Sequence, residues 1–261
     1  LYNFNQLDAV TSAYVGAIAK GKLKKISLTW KDDLSNIYKN YFGELPASFQ
    51  VNGKTFTPQS YVKELGINPD DYVSLTSYTH HPFYSKFILE IQDNWRWAES
   101  YNLPLDEFME VCETAVKKGY TFAWGADVSE KGFGRDGIAK VPANMKNTDM
   151  TGSDAARWTG TNERNGAVIK TNDDELAITQ ELRQIGYDNW ETTDDHGMVI
   201  YGIAKDDKGN EYFMVKNSWG NYGKYNGMFY ASKAYVAYKT MNILIHKDAV
   251  PSKIAKKLGL K

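Results

Sequence analysis

The sequence of 261 residues holds a single cysteine, Cys112. One thiol excludes an intrachain disulfide and every zinc site built on several cysteines. Neither sign of charge is in excess: 31 Lys and Arg stand against 32 Asp and Glu, for a net charge of -1. That balance removes the electrostatic case for nucleic acid, which needs a basic stripe or surplus. Uninterrupted apolar runs extend over only a few residues, too short for a bilayer-spanning helix. Leu1-Tyr2-Asn3-Phe4-Asn5 has neither the basic start nor the apolar stretch of a signal peptide, and no Met precedes it. The chain is therefore expected to be a piece of something longer. What is present is an ordinary globular mixture, 42% hydrophobic and 24% charged, with enough apolar surface for a core. Aromatic residues reach 14%, which suits β-structure or a cleft that grips extended polymers.

Periodicity divides the chain. Leu7, Val10, Ala13, Tyr14 and Ile18 recur at helical spacing within a mostly helical region, 6–46, and a second helix is expected over Lys31–Phe42. Residues 49–56 alternate around Asn52-Gly53 and read as a hairpin; Pro58 opens a short helix. The strongest helical pattern covers 104–118, with Leu105, Phe108, Met109, Cys112, Ala115 and Val116 on one stripe. Residues 121–124 read as a strand. Residues 129–189, rich in Gly, Asn, Asp, Thr and Lys over 129–175, read as an irregular surface elaboration with a short helix at 174–185. Strands are expected at 198–204, 211–216, 227–231 and 240–245, and a short amphipathic helix in the tail.

Only four histidines are available for proton transfer. If the 205–210 loop closes an antiparallel hairpin, 198 faces 217, and His196 lies diagonal to Asn217 on the same face. A one-residue slip would separate them. An Asn oxygen accepting from one imidazole nitrogen leaves the other free to act on a nucleophile. Other signals are weaker. Gly132-Phe133-Gly134-Arg135-Asp136-Gly137 fits G-x-G-x-x-G, yet Ile138-Ala139-Lys140-Val141-Pro142 after it is poor helix material, so a glycine-rich loop is favoured over dinucleotide binding. His80-His81 hints at metal, but neighbours in extended chain point to opposite sides and no carboxylate stands at ligand spacing. His246, at a strand end, reads as solvated. Asp194-Asp195 either form a solvated loop or act on His196 or on a substrate amine.

Asp195-His196-Gly197-Met198-Val199-Ile200-Tyr201-Gly202 and Val215-Lys216-Asn217-Ser218-Trp219-Gly220 resemble the His and Asn segments of papain-fold cysteine peptidases. Phe56-Thr57-Pro58, the 71–76 segment, His81-Pro82-Phe83 and Ala123-Trp124-Gly125-Ala126-Asp127-Val128 look like the aminopeptidase C and bleomycin hydrolase branch. The likeness covers roughly 30–128 and 190–250. It implies an α+β fold: a helical region with the family's insertions over 1–128, the elaboration over 129–189, and a β-barrel-type domain over 190–261 carrying His196 and Asn217. It implies peptide-bond hydrolysis by thiol acyl transfer, with His196 as base, Asn217 as its orienter and Trp219 shielding their bond, without cofactor or metal. Trimming from a free N-terminus is favoured over internal cleavage. The catalytic Cys is expected upstream of this chain, because Cys112 sits on the apolar stripe and behaves as a small hydrophobe. The partners implied are a peptide substrate, the segment bearing that Cys, and copies of itself in a hexamer; nucleic acid and membrane are not. A cytoplasmic location follows from the resemblance, with secretion left open. The alternative is an inactive papain-fold protein that binds peptides.

Overall fold

The computed structural model describes residues 3–22, 24–91, 94–129, 132–134, 136–142 and 175–260. The chain divides into two compact units between Asn68 and Pro69.

The smaller unit is built from local signals. Helix α1 (Phe4–Ala19) starts at Asn3, whose side chain accepts from the Gln6 N–H at 3.0 Å. Helix α2 (Thr29–Phe42) ends at Gly43, with φ 82°. Strands β1 (Phe49–Val51) and β2 (Lys54–Phe56) pair with Val51 opposite Lys54. Asn52 and Gly53 between them both take positive φ, 50° and 78°, as a two-residue hairpin turn requires. Thr57 and Ser60 form a capping box at the start of α3 (Pro58–Glu64).

Among the described residues the larger unit carries nine strands in one sheet. In chain order these are β3 (Tyr72–Thr76), β4 (Lys86–Ile88), β5 (Glu99–Asn102), β6 (Phe122–Ala126), β7 (Ile138–Ala139), β8 (His196–Lys205), β9 (Glu211–Lys216), β10 (Met228–Ser232) and β11 (Thr240–His246). Their spatial order is β4-β5-β3-β11-β6-β8-β9-β10-β7. Pairing is antiparallel except between β3 and β5 and between β7 and β10. Among the described residues four α-helices accompany the sheet: α4 (Leu105–Lys117), α5 (Gln180–Asp188), α6 (Lys233–Lys239) and α7 (Ser252–Lys257). Helix α4 turns Leu105, Phe108, Val111, Cys112 and Ala115 into the core, where they meet Trp124, Met198, Ile200, Phe213 and Val215. The architecture is α+β, as the resemblance implied.

Two expectations need correction. The boundaries drawn at 128 and 189 do not divide the structure, because β3 and β6 lie in the same sheet as the strands after 190. The stretch 129–189 is not all surface. Phe133, Ala139 and Val141 are buried, β7 pairs with β10, and Arg183 on α5 has no exposed surface. Polar composition hid a few apolar residues that plug the core edge. Residues 143–174 lie outside the described part, as does residue 174 of the helix expected at 174–185; Thr179 caps that helix and it runs to Asp188. The G-x-G-x-x-G segment leads into strand β7, not a helix, which removes the dinucleotide reading; Arg135 within it lies outside the described residues. A Cβ on Gly132 would stand 1.9 Å from the Lys140 carbonyl oxygen, so this glycine serves a close backbone approach.

Candidate active site

Strand β8 begins at His196, opposite Ala126 of β6, and Asn217 comes directly after the last residue of β9. Near their connecting loop the two strands pair as Lys205 with Glu211 and Ala204 with Tyr212. That is one residue away from the register a simple hairpin count gives. An irregularity between Ile200 and Gly202 absorbs the extra residue, Tyr201, and beyond it Ile200 faces Val215 and Val199 faces Lys216. Continued, this register sets Met198 opposite Asn217, as the sequence arithmetic required, so the bulge aims the histidine.

The result is a direct bond: His196 Nε2 lies 2.8 Å from Asn217 Oδ1. The backbone N–H of Ser218 donates to that same oxygen at 2.7 Å. Because that donor is a backbone amide, the atom is the amide's oxygen and can only accept. Nε2 of His196 is therefore the protonated nitrogen. Nδ1, hydrogen-bonded to no described residue, is the nitrogen that can take a proton. Asn217 is buried, and its backbone N–H donates to the Gly227 carbonyl at 3.0 Å. The Trp219 ring lies 5.1 Å from the His196 ring at 31°, and its other contacts are edge-on to Phe133, Tyr222 and Phe229. Trp219 is thus fixed against the imidazole while remaining partly open to solvent.

The aspartates before His196 have distinct settings. Asp195 accepts from the Val128 and Ser129 N–H groups at 3.2 and 2.9 Å, from the Ser129 hydroxyl, and from the Thr193 hydroxyl at 3.0 Å. It pins the end of β6 to the start of β8, a role that its place beside Asp194 in the sequence did not signal. Asp194 lines a depression together with His196, Ser74, Ser100, Gly125 and Asn242. His246 accepts from the Asp248 N–H at 3.2 Å and stacks on Tyr120, so it caps a turn rather than standing in solvent. His80 and His81 do not point apart. Residues 79–80 form a turn, the two rings lie 4.7 Å from each other, and Glu90 comes within 3.4 Å of both. That carboxylate, nine residues on, was missed because a turn and a strand return it to the histidines.

Cys112 is fully buried in the α4 core, and burial pushes its thiol far above the ordinary cysteine range. It packs as a hydrophobe. Cys112→Ser should leave the turnover of folded full-length protein nearly unchanged while lowering stability by about 1–3 kcal/mol, the cost of a hydroxyl in an apolar site. Denaturation and activity measured on one sample check both; lost turnover in folded protein would return Cys112 to the active site.

Residues 175–260 match the Peptidase C1-like family. Aminopeptidase C of Streptococcus thermophilus is 27% identical over 202 residues, 75% of this chain and 40% of that protein. The chain thus spans well under two thirds of that relative's length. The crystal structure of PepW from Lactobacillus rhamnosis HN001 superposes with a TM-score of 0.61 at 21% identity, over 98% of this chain and 55% of that one; at this identity the likeness speaks to the fold. The family match covers the stretch in which a bulged hairpin delivers His196 to Asn217, and the chain as a whole shares the papain-like fold of the PepW structure.

Proposed function

We propose that this chain supplies the base and its orienter to a cysteine peptidase that removes residues from the N-terminus of peptides. The observation that carries the reading is the His196 Nε2 to Asn217 Oδ1 bond, which leaves Nδ1 available for proton transfer. A thiol from outside these 261 residues gives its proton to Nδ1 and attacks the peptide carbonyl. His196 then protonates the departing amine, and water releases the acyl group by the same proton path in reverse. Asn217 holds the ring through both steps, and Trp219 covers the ring. No cofactor enters. A nucleophile from another part of the protein is needed because the chain's one thiol, Cys112, lies in the core.

The aminopeptidase character rests on the aminopeptidase C relative and on Asp194, a carboxylate beside His196 that suits a substrate's α-ammonium. The C-terminal helix α7, Ser252–Lys257, is short, as the tail's spacing suggested; Lys261, whose approach to the cleft would block internal cleavage, lies outside the described residues. Full-length protein offered one peptide with a free N-terminus and its acetylated twin should cleave only the free form. Equal cleavage of both would replace the exopeptidase reading with an endopeptidase one. Binding without cleavage of either would favour the inactive peptide-binding alternative. A homo-hexamer and a cytoplasmic location complete the proposal. Among the described residues no helix is long and apolar enough to cross a membrane.

A further inference from the structure

We propose that His80, His81 and Glu90 bind one zinc-class divalent cation, at a site distinct from the His196–Asn217 pair. The ligating atoms of the three side chains all lie within 4.8 Å of one another. His80 Nε2 is 3.4 Å from one Glu90 oxygen, and His81 Nε2 is 3.4 Å from the other. For N–H···O hydrogen bonds these distances are long, since such bonds cluster at about 2.7–3.2 Å. They are close to the spacing of two donors that each sit about 2.0–2.1 Å from a tetrahedral ion, roughly 3.3–3.4 Å. Three protein ligands on one tetrahedral ion would leave the fourth position to water.

The site is held in place before any ion arrives. The His80 ring stacks on Tyr187, 5.0 Å away at 13°, and the His81 ring on Phe87, 4.3 Å away at 20°. The Tyr187 hydroxyl donates to the Glu90 backbone carbonyl at 2.9 Å, and the Asn102 amide donates to the His81 carbonyl at 2.9 Å. Both outer faces of the histidine pair are thus clamped, and the backbone on each side is tied. Gln184 lies against His80 Nδ1, with its amide nitrogen at 3.1 Å and its oxygen at 3.5 Å. With Nε2 on a metal, Nδ1 must carry the proton, so the ring has to exchange the Gln184 amide N–H at 3.1 Å for the Gln184 oxygen, which already takes the Thr79 N–H at 2.6 Å and would become the outer partner of a ligating imidazole. Two imidazoles and one carboxylate select zinc, nickel, cobalt or copper over calcium and magnesium, which require oxygen shells. The ion would fasten the 79–81 turn to the end of β4. Leu89 and Ile91, on either side of Glu90, line the His196 depression, so the clip braces one wall of it.

Calorimetric titration of full-length, metal-stripped protein with Zn²⁺ should give one saturable site per chain, and Co²⁺ should give a visible absorption band of low-coordinate geometry. Ca²⁺ should give no saturable binding. His81→Ala should weaken Zn²⁺ binding by more than about 100-fold, because even outer partners of metal ligands are worth about 10–100-fold. Glu90→Gln, at a largely exposed side chain that tolerates an amide, should weaken it by at least tenfold without loss of fold. His246→Ala, outside the cluster, should leave binding unchanged. Absence of a saturable site, or Zn²⁺ binding that His81→Ala and Glu90→Gln leave intact, would overturn the proposal. Neither result depends on the peptidase reading.

Discussion

His196→Ala in the full-length protein should lower kcat by about 10³–10⁶-fold, with KM changed much less, since removing the base from a coupled nucleophile–base unit abolishes the covalent step. Asn217→Ala should cost less, about 10–10³-fold in kcat, because the base survives and only its orientation is lost. The ordering follows from the geometry. In the proposed reaction His196 Nδ1 accepts the proton, whereas Asn217 touches only the far nitrogen, at 2.8 Å. The asparagine does a second job: its oxygen also takes the Ser218 N–H, so Asn217→Ala frees the backbone that leads into Trp219. Trp219→Ala should therefore resemble a mild form of Asn217→Ala. Steady-state kinetics on the three variants, with circular dichroism to confirm folding, are decisive. Wild-type turnover in His196→Ala would remove the peptidase assignment. An Asn217→Ala defect as deep as that of His196→Ala would mean that the asparagine does more than orient.

The His196–Asn217 pair was legible because β-strand periodicity is strict, and two strands with a turn-rich loop between them allow a register to be counted. The count reached the right face for a reason invisible in the sequence. Pairing beside the loop is off by one, and the bulge at Tyr201 restores it. Local codes were equally readable. Asn52-Gly53 made its turn and Pro58 opened α3, each from short-range sterics. Non-local convergence was not readable. Glu90 meets His80 and His81 only because a turn, β4 and the stacked rings of Phe87 and Tyr187 fold back on one another. Asp195 looked like half of an acidic loop, yet its oxygens are taken by Val128, Ser129 and Thr193. Helix α6 went unnoticed because Lys233–Lys239 is rich in aromatic and β-branched residues; its Ser232 cap and the burial of Tyr235, Val236 and Tyr238 override propensity.

Arg183→Met should be the most damaging substitution of a residue outside the active site, at about 3–5 kcal/mol. Nothing in the 129–189 composition marks this residue, yet it is the most enclosed cation of α5, with no exposed surface. Its Nε donates to the Ser77 carbonyl at 2.7 Å, Nη1 to Ala237 at 2.8 Å and Tyr238 at 3.3 Å, and Nη2 to Thr240 at 2.5 Å. The guanidinium also lies 4.5 Å from the Tyr78 ring centre and 5.6 Å from that of Phe108. Burial works against its charge, and the four carbonyls offset that cost by converging on one planar fork. Methionine has a similar reach and no donor, so it leaves buried carbonyls at the ends of β3, α6 and β11 without this partner. Lysine keeps the charge, but its compact ammonium lacks the wide planar fork whose three nitrogens reach separate carbonyls, so Arg183→Lys should recover only part of the loss. At about 2–4 °C per kcal/mol for a unit of this size, Arg183→Met should lower Tm by roughly 6–20 °C. Glu181→Gln, at an exposed position on the same helix, should stay within about 0.5 kcal/mol of wild type. The damage should also reach the active site. Thr240 accepts the Trp124 indole N–H through its hydroxyl at 2.7 Å, and Trp124 pairs with Met198, two residues from His196. Differential scanning calorimetry of the three variants tests the stability order. A Tm for Arg183→Met within about 2 °C of wild type would show that the carbonyls find water or other donors when the guanidinium is gone.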